Sequence, residues 1–167
     1  TASLVVVCAA WTVRRRSDWK DNISLFSSGT RNDPSSPAAH YNLGTALMEK
    51  GDLSSARTEW ERALAIDPSY ADALAQMGTL AAVQGALSGA ERYYTAALQA
   101  PPGRSDPDKS MAHYNLGKIC EKRGQPEQAM RHYQRFLESV PVTYLEYKPD
   151  AERRIANLRA AIPVAPE

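Results

Sequence analysis

Two histidines occupy the same place in a stretch that the chain writes twice. His40 opens His-Tyr-Asn-Leu-Gly at residues 40–44, and His113 opens it again at 113–117, starting 73 residues later. An imidazole can serve as a general base or as a zinc ligand. Either role needs a second group at a defined distance, and on a helix that group stands three or four residues away. No such group flanks His40 or His113, so both are expected as packed or half-buried rings. His132 stands beside Tyr133 on another helical stretch and is expected to be exposed.

The remaining reactive residues point the same way. Cys8 and Cys120 form no C-x-x-C pair and belong to no His/Cys cluster with zinc spacing. Cys120 reads as a small buried apolar residue. No Gly-rich phosphate loop follows a strand, and no strand pattern is present. Asn22-Ile23-Ser24 fits a glycosylation acceptor, but the segment reads as helix and the triplet is attributed to chance. The chain offers no catalytic, cofactor-binding or metal-binding residues, and is not expected to be an enzyme by itself. Its formal net charge is +1, with 43% hydrophobic and 23% charged residues. That is an ordinary globular composition without the basic footprint of nucleic-acid binding.

The elements that carry these residues emerge when the chain is set against itself. A shift of 34 brings Gly44 onto Gly78, Gly51 onto Gly85, Ala56 onto Ala90, Trp60 onto Tyr94 and Pro68 onto Pro102. A shift of 39 carries these in turn to Gly117, Gly124, Ala129, Tyr133 and Pro141. The additional five residues fall in the polar stretch 105–109, which explains the distance between the two His-Tyr-Asn-Leu-Gly copies. Each unit reads as two helices broken by glycine and closed by proline. Gly44, Gly78 and Gly117, with Ala56, Ala90 and Ala129, let the two helices approach closely. Trp60, Tyr94 and Tyr133 are expected to fill the groove toward the next unit. One hairpin cannot bury its apolar face alone, but a stack can.

These offsets resemble the tetratricopeptide repeat, in three copies at 37–70, 71–104 and 110–143 with an insertion at 105–109. The same register reaches back to Phe26 and Pro34, so residues 17–34 read as a degenerate half repeat. A final amphipathic helix at 149–162 carries Ile155, Leu158 and Ile162 on one side and Arg153, Arg154 and Arg159 on the other; it reads as a cap. The expected fold is all-α: a right-handed superhelix, or α-α solenoid, of a half repeat, three full repeats and a capping helix. The resemblance implies a concave groove lined by first helices. Its inward residues are Tyr41, Asn42, Thr45 and Met48, then Asp72, Gln76 and Thr79, then Met111, Tyr114, Asn115 and Lys118. Asn42, Gln76 and Asn115 share one position. A row of amides can donate to and accept from an extended peptide, similar to the asparagine ladder of O-linked N-acetylglucosamine transferases; equally, it can simply solvate an exposed face. Co-chaperone arrays that grip a terminal carboxylate use Lys and Asn in the first unit, Asn in the second, and Lys and Arg in the third. Here Tyr41 and Thr45, then Gln76, then Met111 and Asn115 stand there, none of them a cation, so such a clamp is not expected.

The start of the chain carries a second expectation. Leu4–Val13 is uncharged and largely apolar, and Arg14, Arg15 and Arg16 follow. Ten residues are too few for a bilayer, which needs about 20. A run ending in Trp and then Arg nonetheless reads as the last turns of a membrane helix, placed at 1–16; a signal-peptide remnant and a short buried helix are the rival readings. Arg14, Arg16, Asp18, Trp19, Leu25 and Phe26 resemble the junction in transmembrane and tetratricopeptide-containing O-mannosyltransferases. That resemblance implies catalysis in an absent membrane part and repeats facing the lumen or periplasm, although arginines beside a membrane helix favour the cytoplasmic side. The expected function is a membrane-tethered protein-interaction module that binds an extended polypeptide or partner subunit. A non-catalytic scaffold subunit of a larger membrane complex is the alternative, and self-association through terminal repeats a third reading.

Overall fold

The computed structural model describes residues 22–101 and 109–161. The expected membrane-helix remnant at 1–16, the opening of the half repeat, residues 105–108 of the insertion, and Ile162 lie outside them. The described helices are α1 Asn22–Asn32, α2 Pro37–Glu49, α3 Leu53–Ile66, α4 Ala71–Val83, α5 Leu87–Gln99, α6 Ser110–Lys122, α7 Pro126–Ser139 and α8 Lys148–Ala161. A 3-10 helix, Val142–Tyr147, precedes α8. No strand occurs among the described residues. None of these helices is long and apolar enough to cross a membrane. The chain divides into two compact units between Ala73 and Leu74, near the start of α4.

Local chemistry sets the hairpin breaks. Gly51, Gly85 and Gly124 have φ of 85°, 78° and 67°, a region that a side chain enters at a cost of about 1–2 kcal/mol. Each closes the same motif. Asp52 N–H donates to Leu47 O at 3.0 Å, Ala86 N–H to Ala81 O at 2.9 Å, and Gln125 N–H to Cys120 O at 2.9 Å. These bonds reach five residues back and satisfy carbonyls that the helix end leaves open. Side chains fix two helix starts: Ser36 accepts from Ala39 N–H ahead of Pro37, and Asp52 accepts from Ser55 N–H, whereas α5, α6 and α7 begin without a side-chain cap bond.

In the first unit, α1 and α3 end alike. Asp33 Oδ1 accepts from Ser35 N–H at 3.1 Å, and Asp67 Oδ1 accepts from Ser69 N–H at 2.9 Å. Both are Asx turns at an Asp-Pro-Ser sequence, so the half repeat shares its exit with the full one. A Cβ on Gly44 would lie 2.6 Å from Trp60 Nε1; no other residue fits beneath that ring.

In the second unit the same lock recurs. A Cβ on Gly78 would lie 2.8 Å from Tyr94 Cε1, and one on Gly117 would lie 2.6 Å from Tyr133 Cε1. Each aromatic therefore covers the glycine of its own hairpin, rather than only filling toward the next repeat as its spacing suggested. Tyr94 additionally joins Ala112, Leu116 and Ile119 of α6 in one apolar cluster. Ala56, Ala90 and Ala129 are all 0% exposed. The capping helix packs Ala151 and Ile155 against Tyr114, Tyr133 and Phe136.

Candidate functional site

In the first and third hairpins, a first-helix residue meets the second-helix residue 19 positions on. His40 of α2 and Glu59 of α3 are both buried, and His40 Nδ1 lies 2.7 Å from Glu59 Oε2. Its other nitrogen, Nε2, lies 3.2 Å from Pro34 O. Arg62 Nη1 donates to Glu59 Oε1 at 2.5 Å. The carboxylate is thus spanned by two donors and is occupied as a structural anchor, not held free as a base.

The third hairpin places a second imidazole there. His113 Nδ1 and His132 Nδ1 are 3.2 Å apart, with ring centroids separated by 5.4 Å. His132 is half-buried, not exposed as its sequence position suggested. Burial pushes both imidazoles below their ordinary range, and for His113 the neighbouring His132 adds to the effect. The neutral pair can share one proton as donor and acceptor. Among the described residues no group of three or more His, Cys, Asp or Glu could hold a metal. The register predicts these meetings in hindsight, since shifts of 34 and 39 carry Glu59 to Tyr93 and then to His132.

The groove residues divide by unit. In the first, Tyr41, Asn42, Thr45 and Met48 are half-buried. Thr45 turns its hydroxyl back to Tyr41 O at 3.1 Å, and the Tyr41 ring meets the Tyr70 ring at 5.6 Å. Asp72, on the first turn of α4, is half-buried as well.

In the second unit, Thr79, Asn115 and Lys118 come together around one pocket of about 190 Å³. Tyr94 lies beneath, its hydroxyl 3.0 Å from Thr79 Oγ1. Gln76 and Met111 are half-buried but do not line this pocket.

Tyr114 departs from expectation. It is 5% exposed and packs on Phe136 and Tyr147, with ring centroids 5.2 and 5.3 Å away. Its hydroxyl donates to Asp150 Oδ2 at 2.7 Å. Burial first, then the Asp150 carboxylate, push its pKa up to about 12. The 3-10 helix before α8, which the sequence pattern does not announce, covers the ring and removes it from the groove.

Arg154 is drawn inward as well. Its spacing puts it on the solvent side of the cap, yet it donates to Asp150 Oδ2 and Glu121 Oε2, both at 2.5 Å. Glu121 also accepts from the Tyr133 hydroxyl at 2.6 Å. Asp150 is pulled down to about 2, chiefly by the Tyr114 hydrogen bond and then by Arg154.

The shared amides keep their capacity. Asn42, Gln76 and Asn115 are each half-buried, and among the described residues their side chains make no hydrogen bond. Their donors and acceptors are free for a ligand or water.

Residues 37–70 and 75–142 match the family described as tetratricopeptide repeat. Among curated proteins, the chain is similar to Protein O-mannosyl-transferase F38B6.6 of Caenorhabditis elegans, with 37% identity over 68 residues. It is also similar to Protein O-mannosyl-transferase Tmtc2 of Drosophila melanogaster, with 33% identity over 69 residues. Each match takes in 41% of this chain but only 10% and 7% of the relative. Solved structures of the same fold include YrrB, described as a TPR protein with an unusual peptide-binding site, with a TM-score of 0.67 at 22% identity. That match covers 81% of this chain and 64% of YrrB. PilF of Pseudomonas aeruginosa has a TM-score of 0.68 at 21% identity, covering 95% of this chain and 67% of PilF.

Proposed function

Because this chain belongs to the tetratricopeptide-repeat family, whose hairpin arrays are protein-interaction modules, we propose that it captures an extended polypeptide along its first helices. One observation carries the reading. Three residues expected in the groove, Thr79, Asn115 and Lys118, surround a single pocket, and the Asn115 amide there has no partner among the described residues. An amide with both functions free can pair with a peptide N–H and C=O at once, which holds a backbone without reading its side chains.

The similarity to two protein O-mannosyl-transferases supports a finer reading. The chain is the repeat portion of a membrane glycosyltransferase-like protein, and it presents acceptor polypeptide on the lumenal or periplasmic side. The transfer chemistry belongs to a membrane part outside this sequence.

Substituting Gln76→Ala together with Asn115→Ala, both in the second unit, tests the capture mechanism. Affinity for peptides selected on an array should fall by about 1–3 kcal/mol, the range for losing hydrogen bonds to buried backbone groups. Calorimetry showing unchanged affinity would remove the amides from the mechanism.

A further inference from the structure

The pocket of the second unit has a chemical character beyond its shape. Ala82, Val83, Leu87 and Ile119 give it an apolar lining. Val83 is 75% exposed. A single exposed aliphatic residue is common, but this one stands on a pocket rather than on open surface.

The charge around it is one-sided. Lys118 and Lys122 both line the pocket, and no carboxylate does. Both lysines are exposed, and among the described residues neither pairs with a carboxylate. Lys118 Nζ stands 5.6 Å from the centre of the Tyr114 ring. Two acids elsewhere in the unit are already engaged: Glu121 takes Arg154 and the Tyr133 hydroxyl, and Glu91 takes Arg123 at 2.5 Å. Like charges four residues apart on a helix repel one another. An anionic group between Lys118 and Lys122 would relieve that repulsion.

Spacing sets the form of the anion. Asn115, Lys118, Ile119 and Lys122 follow one another at three- and four-residue steps along one face of α6. The two lysines are separated by about 6 Å along the helix axis. An extended chain advances about 3.3 Å per residue, so the pair spans two residues of a ligand lying along α6.

Resting on the peptide-capture reading of this pocket, we propose that it selects a segment of a partner protein in which an apolar side chain stands beside acidic ones. The apolar side chain enters between Val83, Leu87 and Ile119. The carboxylates meet Lys118 and Lys122, while Asn115 holds the backbone.

Fluorescence polarisation on the full chain tests this with three labelled peptides of equal length. One places leucine, aspartate and glutamate at every second position, so that an extended chain turns all three to one face, one replaces the acids by lysine, and one replaces leucine by serine. The first should bind best, and its binding should weaken as salt is raised. The pair Lys118→Glu and Lys122→Glu should weaken it about tenfold and improve the lysine-bearing peptide. Both side chains are exposed, so an unchanged melting curve will confirm that the variant folds. Equal binding of the acidic and lysine-bearing peptides would overturn the selectivity. So would a charge reversal without effect while Asn115→Ala still weakens binding; peptide capture itself would then stand. Failure of all three peptides to bind would overturn the capture reading together with its selectivity.

Discussion

The hairpins α2–α3 and α6–α7 share one backbone plan and fill it with different chemistry. Both turn on a left-handed glycine, Gly51 or Gly124, and both close an aromatic ring over a first-helix glycine, Gly44 or Gly117. They part at two positions. Where the first hairpin pairs His40 with the carboxylate of Glu59, the third pairs His113 with the imidazole of His132. Where Trp60 buries an indole nitrogen that has no partner among the described residues, Tyr133 sends a hydroxyl to Glu121. The repeat thus demands volume and small neighbours at fixed places, and leaves the polar partnership to each copy.

Removing the shared volume should give the largest effect. Trp60 and Tyr133 are 1% and 0% exposed, and Trp60→Ala or Tyr133→Ala should each cost about 3–5 kcal/mol, as for other large aromatic deletions. Urea unfolding, with amide hydrogen exchange to follow each hairpin, checks this. A small loss at one site and a large loss at the other would break the claim that the two locks are equivalent.

A smaller effect tests the shared turn. Gly51 and Gly124 have nothing within 4 Å of a built Cβ, so only backbone strain opposes a side chain there. Gly51→Ala and Gly124→Ala should each destabilise by about 1 kcal/mol, the left-handed penalty less the entropy gained by restricting the unfolded chain. Equal losses in the two hairpins, by the same unfolding measurement, support a common turn. A neutral result at either site means that its turn can relax to another form.

The sequence made this plan readable where backbone need fixes residue type. Glycine at the turns, alanine at the helix contact and an aromatic over the first glycine recur because few alternatives fit. The side-chain meetings 19 positions apart do not show in the sequence, since His40–Glu59 and His113–His132 differ in their second residue and only the geometry makes them equivalent. Tyr114 shares its helix position with Tyr41, and spacing alone puts both in the groove. What separates them is the 3-10 helix Val142–Tyr147, which contributes Tyr147 to the cover over Tyr114. Its apolar residues fall on both sides, Val142 84% and Leu145 47% exposed while Tyr144 and Tyr147 pack on the core, so no single apolar stripe announces the segment. Arg154 departs for a related reason: helical spacing gives a face, while one of the two acids that draw the guanidinium inward is Glu121, 33 residues away.

The pair that distinguishes the two hairpins supplies the subtlest test. His113 and His132 are both held below the ordinary imidazole value of 6.5, with burial the leading cause in each. Arg135 and Glu138 also act on His113, and Arg131 and Glu91 on His132, in opposing directions. A base whose folded pKa is depressed binds protons more readily when unfolded. The third hairpin should therefore hold its full stability above about 6.5 and lose part of it as pH falls through the depressed folded values. His132→Glu rebuilds the His40–Glu59 arrangement in the third hairpin and reverses the sign. With a carboxylate beside it, His113 would be favoured as the cation, and the stabilisation would be full at mildly acid pH and fade as pH rises. Unfolding free energies of the two proteins, measured from neutral pH down to 5, should move apart steadily. Both remain above the window in which Asp150, held near 2, loses its contribution as pH falls below the usual carboxylate range. Parallel curves would mean that the two imidazoles are too well solvated for their pairing to distinguish one hairpin from the other.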